Sequence, residues 1–171
     1  LLGNSGLGAF IRTNQIYTWI ISGGSNVGFR CFMTVFMENG QGAVVMTNGE
    51  SGQHLAMEII RGISQFFEWP DFLVQEKTVA STNPDVYNAY LGKYEFIEPQ
   101  GIKTVITRDE NQLKADIFGS VVELYPETET TFFEVNTGMS FTFIKDNDGQ
   151  VQGFVLSPPL ATQPWQARKI Q

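Results

Sequence analysis

Residues 22–28 read Ser-Gly-Gly-Ser-Asn-Val-Gly and stand between two apolar runs, YTWII and FRCFMTVFM. Hydroxyls, an amide and glycines in that position predict a strand that ends at Ile21, followed by a turn or by the edge of a site. Glycine has no Cβ, so the backbone of such a stretch can be approached closely by an extended ligand. A phosphate cradle is the poorer reading, because GSNVG carries no GK[ST] and leads into a strand rather than a helix. Other chemistry-bearing residues are sparse. One histidine, His54, and one cysteine, Cys31, cannot assemble a zinc site. His54 falls off the apolar stripe of a helix and reads as solvated, and Cys31 reads as a small buried strand residue. Asp146-Asn147-Asp148-Gly149 lacks the spacing of a calcium loop and has the Asp-Gly signature of a hairpin turn. No cofactor and no metal are expected.

These residues must be positioned by the elements around them. LGAFIRT, QIYTWII, FRCFMTVFM and AVVMTN read as four antiparallel strands, with a turn at ENGQG. The period then changes. Leu55, Ile59, Ile63 and Phe66/Phe67 recur at helical spacing between Gly52 and Trp69, predicting one buried stripe. Ser51 is the expected N-cap, and Trp69-Pro70 the expected stop. This half is therefore an α+β arrangement, an antiparallel sheet with one packed C-terminal helix over residues 1–76. One sheet face has nothing from this segment to cover it. Residues 77–86 read as a linker, and DVYNAYLG as a short helical turn. Over 87–171, GKYEFIE, IKTVITRD, QLKADIF, VVELYPE, TTFFEVN, SFTFIKD, VQGFVLS and WQARKI predict a small eight-stranded antiparallel β-barrel. Phe141 and Phe143 share one face there, opposite to one of the Phe132–Phe133 pair, and a side-chain-filled interior is favoured over a ligand cavity.

Bulk properties exclude some partners. A net charge of −7 and scattered cationic residues speak against nucleic acid and against an anionic membrane surface. No apolar run is long enough for a spanning helix. The chain opens on Leu rather than Met, which predicts that a segment precedes it.

SGLGAF, SGGSNVGFRCF and GQGAVVMTNGESGQHLAMEIIRGI occur in this order within residues 5–72. Together they resemble the last part of the catalytic domain of serine β-lactamases and penicillin-binding D-alanyl-D-alanine peptidases, the class C and esterase-like branch in particular. AYLGKYE, LYPETETTFF and GQVQGFVL resemble the lipocalin-like barrel appended to many of those proteins. The resemblance implies that Ser22, Gly23 and Gly24 occupy the third active-site motif, with Ser22 where the family carries Lys or His. It also implies that the backbone N–H of Ser25 forms half of an oxyanion hole.

The same resemblance implies a peptide-like or β-lactam-like substrate in the parent protein and an extracytoplasmic, bacterial location. No serine here starts a Ser-x-x-Lys and no Tyr-x-Asn occurs, so the nucleophile is expected from the missing N-terminal part of the domain. Two functions follow as expectations: the C-terminal portion of a serine hydrolase, or a non-catalytic binding or scaffolding module of the same fold. Exposed sheet surface in such a portion predicts self-association.

Overall fold

The computed structural model describes residues 5–6, 8–13, 16–73, 76–98, 100–117, 119–158 and 163–170. Leu7 of the SGLGAF landmark and residues 74–75 lie outside that set. The chain divides into two compact units, 1–76 and 77–171. Both are built on antiparallel sheet, in keeping with the α+β class and the barrel expected from the sequence.

Unit 1 is a five-stranded sheet in sequential order, β1 (Ser5–Gly6), β2 (Ala9–Thr13), β3 (Thr18–Asn26), β4 (Phe29–Phe36) and β5 (Gly42–Thr47), followed by helix α1 (Gly52–Phe66). The short β1 was not expected. The boundary of β3 also corrects the sequence reading, since the strand does not stop at Ile21 but runs through Ser22–Asn26. Pairing with β4, from Ser22↔Met33 to Asn26↔Phe29, holds the glycines extended despite their poor strand propensity.

Residues directly opposite each other share a sheet face. One face carries Trp19, Ile21, Phe32, Thr34, Phe36 and Val45, all buried. Trp69 and Phe72 close over it, with ring centroids 5.0 Å from Phe36 and 5.8 Å from Phe32 respectively. The other face carries Ile20, Met33 and Val35, half-buried, and Val44 and Met46, exposed.

Helix α1 packs on β4 and β5 with a different stripe from the one expected. Gly52, Ala56, Ile60 and Ser64 are buried, whereas Leu55, Ile59, Phe66 and Phe67 are exposed and Ile63 is half-buried. The helix is rotated by about one residue, roughly 100°. Its entry explains the rotation: a Cβ at Gly52 would lie 1.7 Å from Thr47 Oγ1, so only this bare position can face the strand so closely. Small residues on the same line let the helix settle onto the sheet. Ser51 sits at the N-cap, but its hydroxyl makes no capping bond. The stop precedes Trp69-Pro70. Glu68 takes a left-handed φ of 53°, and Trp69 N–H donates to the Ser64 carbonyl at 2.9 Å.

Unit 2 is a closed up-and-down barrel of eight strands, each paired with its sequence neighbour. They are β6 (Gly92–Phe96), β7 (Lys103–Asp109), β8 (Gln112–Ile117), β9 (Ser120–Pro126), β10 (Thr131–Phe133), β11 (Ser140–Lys145), β12 (Val151–Ser157) and β13 (Trp165–Lys169), and β13 closes on β6. Closure removes the edges. A 3-10 helix, Pro84–Tyr90, precedes the barrel and contributes Tyr87 and Tyr90 to its interior. Tyr94, Phe96, Phe132, Phe141, Phe143 and Phe154 fill the rest, in tilted and edge-to-face contacts. Two phenols are satisfied inside, Tyr94 by the Tyr90 carbonyl at 2.7 Å and Tyr90 by the Glu129 carbonyl at 2.6 Å. Residues expected as a linker lie against the barrel: Ala80 N–H donates to the Pro126 carbonyl, and Lys77 pairs with Glu127 while covering the outer face of Phe133. Among the described residues no helix is long and apolar enough to cross a membrane.

Candidate functional site

Strand β3 has a neighbour on each side for only part of its length. β4 pairs with it from Trp19 to Asn26, but β2 covers it only from Thr18 to Ile21. Beyond Ile21 no described strand pairs with the outer edge of β3, and the exposed part of that unpaired stretch is Gly23–Asn26.

Register decides which backbone groups face outward. Met37 N–H donates to the Thr18 carbonyl at 2.9 Å, making Thr18–Met37 a hydrogen-bonded pair. Hydrogen-bonded and non-hydrogen-bonded pairs alternate along an antiparallel ladder. Thr18, Ile20, Ser22, Gly24 and Asn26 therefore direct their N–H and C=O groups at β4, and Trp19, Ile21, Gly23 and Ser25 direct theirs outward. Trp19 and Ile21 meet β2. Gly23 and Ser25 present both groups to the open edge. Gly23, Gly24 and Ser25 are exposed, so the edge is accessible.

Of the residues singled out from sequence, Ser22, Gly23, Gly24 and Ser25 thus lie consecutively on one strand. Ser22 is half-buried, and its hydroxyl donates to the Gly8 carbonyl at 3.1 Å. It adds no charge to the edge. The hairpin tip beyond is clamped from behind. The Glu50 carboxylate accepts from Gly28 N–H at 2.6 Å and pairs with the Arg30 guanidinium, which also donates to the Phe29 carbonyl at 2.9 Å. This clamp fixes the free end of β3 without occupying its edge.

A groove of about 470 Å³ opens on the second face of the sheet beside this edge. Its lining includes Gly24, Asn26, Phe29, Cys31 and Met46, together with the charged Arg30. Cys31 is half-buried rather than a core residue, and its sulfur lies over Gly24: a Cβ there would stand 2.8 Å from Cys31 Sγ. The sequence reading missed this groove. Its signal was alternation, since Asn26/Gly24, Phe29/Cys31 and Met46/Asn48 sit on one face once β3 is extended to Asn26. His54 is exposed in the first turn of α1, away from these residues by sequence and face. Among the described residues no cluster of His, Cys, Asp and Glu could hold a metal ion.

No protein-family model matches the chain, and no curated protein matches it. Solved structures do resemble it. A crystal structure of SurE with D-Leu aligns at a TM-score of 0.52 and 14% identity, covering 96% of this chain and 38% of that one. A second SurE structure aligns at 0.49 and 15%, over 96% and 37%. The octameric penicillin-binding protein homologue from Pyrococcus abyssi aligns at 0.35 and 18%, over 95% and 36%. The first of these likenesses establishes a shared fold. The chain spans well under half the length of each of these proteins.

Proposed function

We propose that this chain is the C-terminal part of a serine hydrolase of the β-lactamase and penicillin-binding type, and that it supplies the wall on which a peptide-like acyl donor is held. The observation that carries the reading is the open edge of β3, with the N–H and C=O groups of Gly23 and Ser25 turned outward. An extended amide substrate pairs with such an edge as an added strand. Its reacting carbonyl oxygen accepts from Ser25 N–H. When the nucleophilic oxygen adds to the carbonyl carbon, charge gathers on that oxygen, and one preorganised donor is worth roughly 2.7–4 kcal/mol of barrier there. The nucleophile, its base and the second donor belong to the preceding part of the same domain. SurE, whose structure was determined with D-Leu, suggests an amino-acid-containing ligand for the test.

Ser22 favours a second reading. A hydroxyl engaged with Gly8 offers neither a fixed charge nor a group titrating near neutrality. A module that binds peptide at this edge without chemistry has the same wall.

The test is covalent labelling of the complete protein with a fluorescent penicillin or an activated ester. Ser25→Ala keeps the backbone N–H and should label at the wild-type rate. Ser25→Pro removes the N–H at an unpaired edge position, where proline is tolerated, and should label about 10²–10³-fold more slowly. Equal rates for the two variants refute the oxyanion role. Peptide binding without any labelling selects the second reading.

A further inference from the structure

We propose that the groove beside β3 is the side-chain subsite of the edge-bound ligand and selects an apolar residue. The inference rests on the strand-edge reading above and adds to it the class of side chain recognised. Its starting point is continuity: Gly24 belongs both to the open stretch of β3 and to the lining of the groove.

An added antiparallel strand that hydrogen-bonds to Gly23 and Ser25 places one residue directly opposite Gly24. Gly24 turns its own N–H and C=O toward β4, so this opposite position is a non-hydrogen-bonded pair, in which side chains approach most closely. Paired residues share a face, so the ligand's side chain emerges on the groove side. Any other residue at position 24 would raise a wall between edge and groove. With glycine there is none, and the Cys31 sulfur forms the floor.

The lining sets the preference. Phe29 and Met46 are 61% and 80% exposed, an unusual state for large apolar side chains flanking a concavity. Methionine adapts its shape to a partner. Asn26 and Asn48 add only neutral amides. Arg30, the one charged residue of the lining, is already paired with Glu50, so a charged side chain is disfavoured there.

The experiment titrates the isotopically labelled chain with acetyl-Ala-X-Ala amides in which X is Leu, Ala or Glu. Backbone amide signals of Gly23 and Ser25 report edge pairing, and the Met46 methyl signal reports the groove. The Leu peptide should bind at least about tenfold more tightly than the Ala peptide, within the range that a few methylenes give in an apolar pocket. It alone should move the Met46 methyl. Met46→Lys, at an exposed position, should erase the Leu preference while the Gly23 and Ser25 amides still respond. Equal binding of the Leu and Ala peptides, or an unmoved Met46 methyl when the amides shift, overturns the subsite and leaves the edge standing. No amide response to any peptide overturns both.

Discussion

Replacing Phe143 with alanine tests whether the barrel is a packed body or a container. The ring is 3% exposed on β11 and stacks on Tyr90 with centroids 4.3 Å apart. Phe132, Phe154 and Tyr94 surround it at 5.7, 5.8 and 6.2 Å. Truncating a buried phenylalanine costs about 3–5 kcal/mol, the higher values arising where the neighbours cannot collapse into the gap. Here the neighbours are rings carried on strands of a closed barrel and on the 3-10 helix that contributes Tyr90 to its interior, so collapse is restricted. We expect about 4 kcal/mol, a large part of the roughly 5–15 kcal/mol that stabilises a whole domain. At about 4–8 °C per kcal/mol for a domain of this size, the melting point should fall by roughly 15–30 °C.

Four of the five tyrosines, Tyr87, Tyr90, Tyr94 and Tyr125, belong to unit 2. Near-ultraviolet circular dichroism would also report the buried Trp19 and Trp69 of unit 1, so the melt is followed on the ring NMR signals of these tyrosines, which belong to the barrel alone. Phe143→Leu serves as the graded control and should lose less, because it retains much of the volume. If Phe143→Ala shifted the transition by less than about 1 kcal/mol, the interior would have room for ligand or solvent and the packed-core account would fail.

Two further outcomes follow from other parts of the molecule. Burial, then the neighbouring Tyr90, push the Tyr94 phenol above its ordinary value of 10.0. The folded chain thus holds a proton that the unfolded chain releases, so barrel stability should fall as pH rises past about 10. Tyr94→Phe should flatten that decline in urea titrations, and an unchanged slope would count against the assignment. On unit 1 we expect concentration-dependent self-association through β5, an edge strand that reads GAVVMT, with Val44 and Met46 exposed and neither charge nor proline. Sedimentation should show it lost in Val44→Lys, and a monomer at every concentration would refute it.

Much of the architecture was legible because several barrel strands alternate between turn signals. QLKADI, for example, buries every second residue on β8. What escaped was set by neighbours rather than by local pattern. The end of β3 was invisible because Gly23 and Gly24 carry no strand preference of their own, and their pairing with β4 supplies it. The rotation of α1 escaped for a related reason. Leu55, Ile59 and Phe66 make the more hydrophobic stripe, yet close approach at Gly52 and Ala56 decides which stripe meets the sheet. Hydrophobicity ranks the faces of a helix, but steric fit at its first turn can choose between them. Ser22–Ser25 could be singled out as candidates by type and order, whereas Phe29, Met46 and Asn48 became a group only through register.

Two edges left unpaired among the described residues of unit 1, β5 and the end of β3, differ in what they offer a partner. Sheets usually blunt an edge with lysine, proline, a bulge or a covering element. Neither β5 nor the outer edge of β3 beyond Ile21 carries a lysine or proline, but their side chains differ. On β5, Val44 and Met46 offer apolar area that a permanently paired strand would bury. At Gly23, Gly24 and Ser25 there is almost no side-chain area to bury, so pairing there gains chiefly backbone hydrogen bonds, each worth only about 0.5–1.5 kcal/mol net. On the proposed reading, an edge with so little intrinsic hold suits a ligand that must arrive and leave, and its specificity then has to come from whatever lies beside it. That requirement gives the groove over Gly24 its place in the reading.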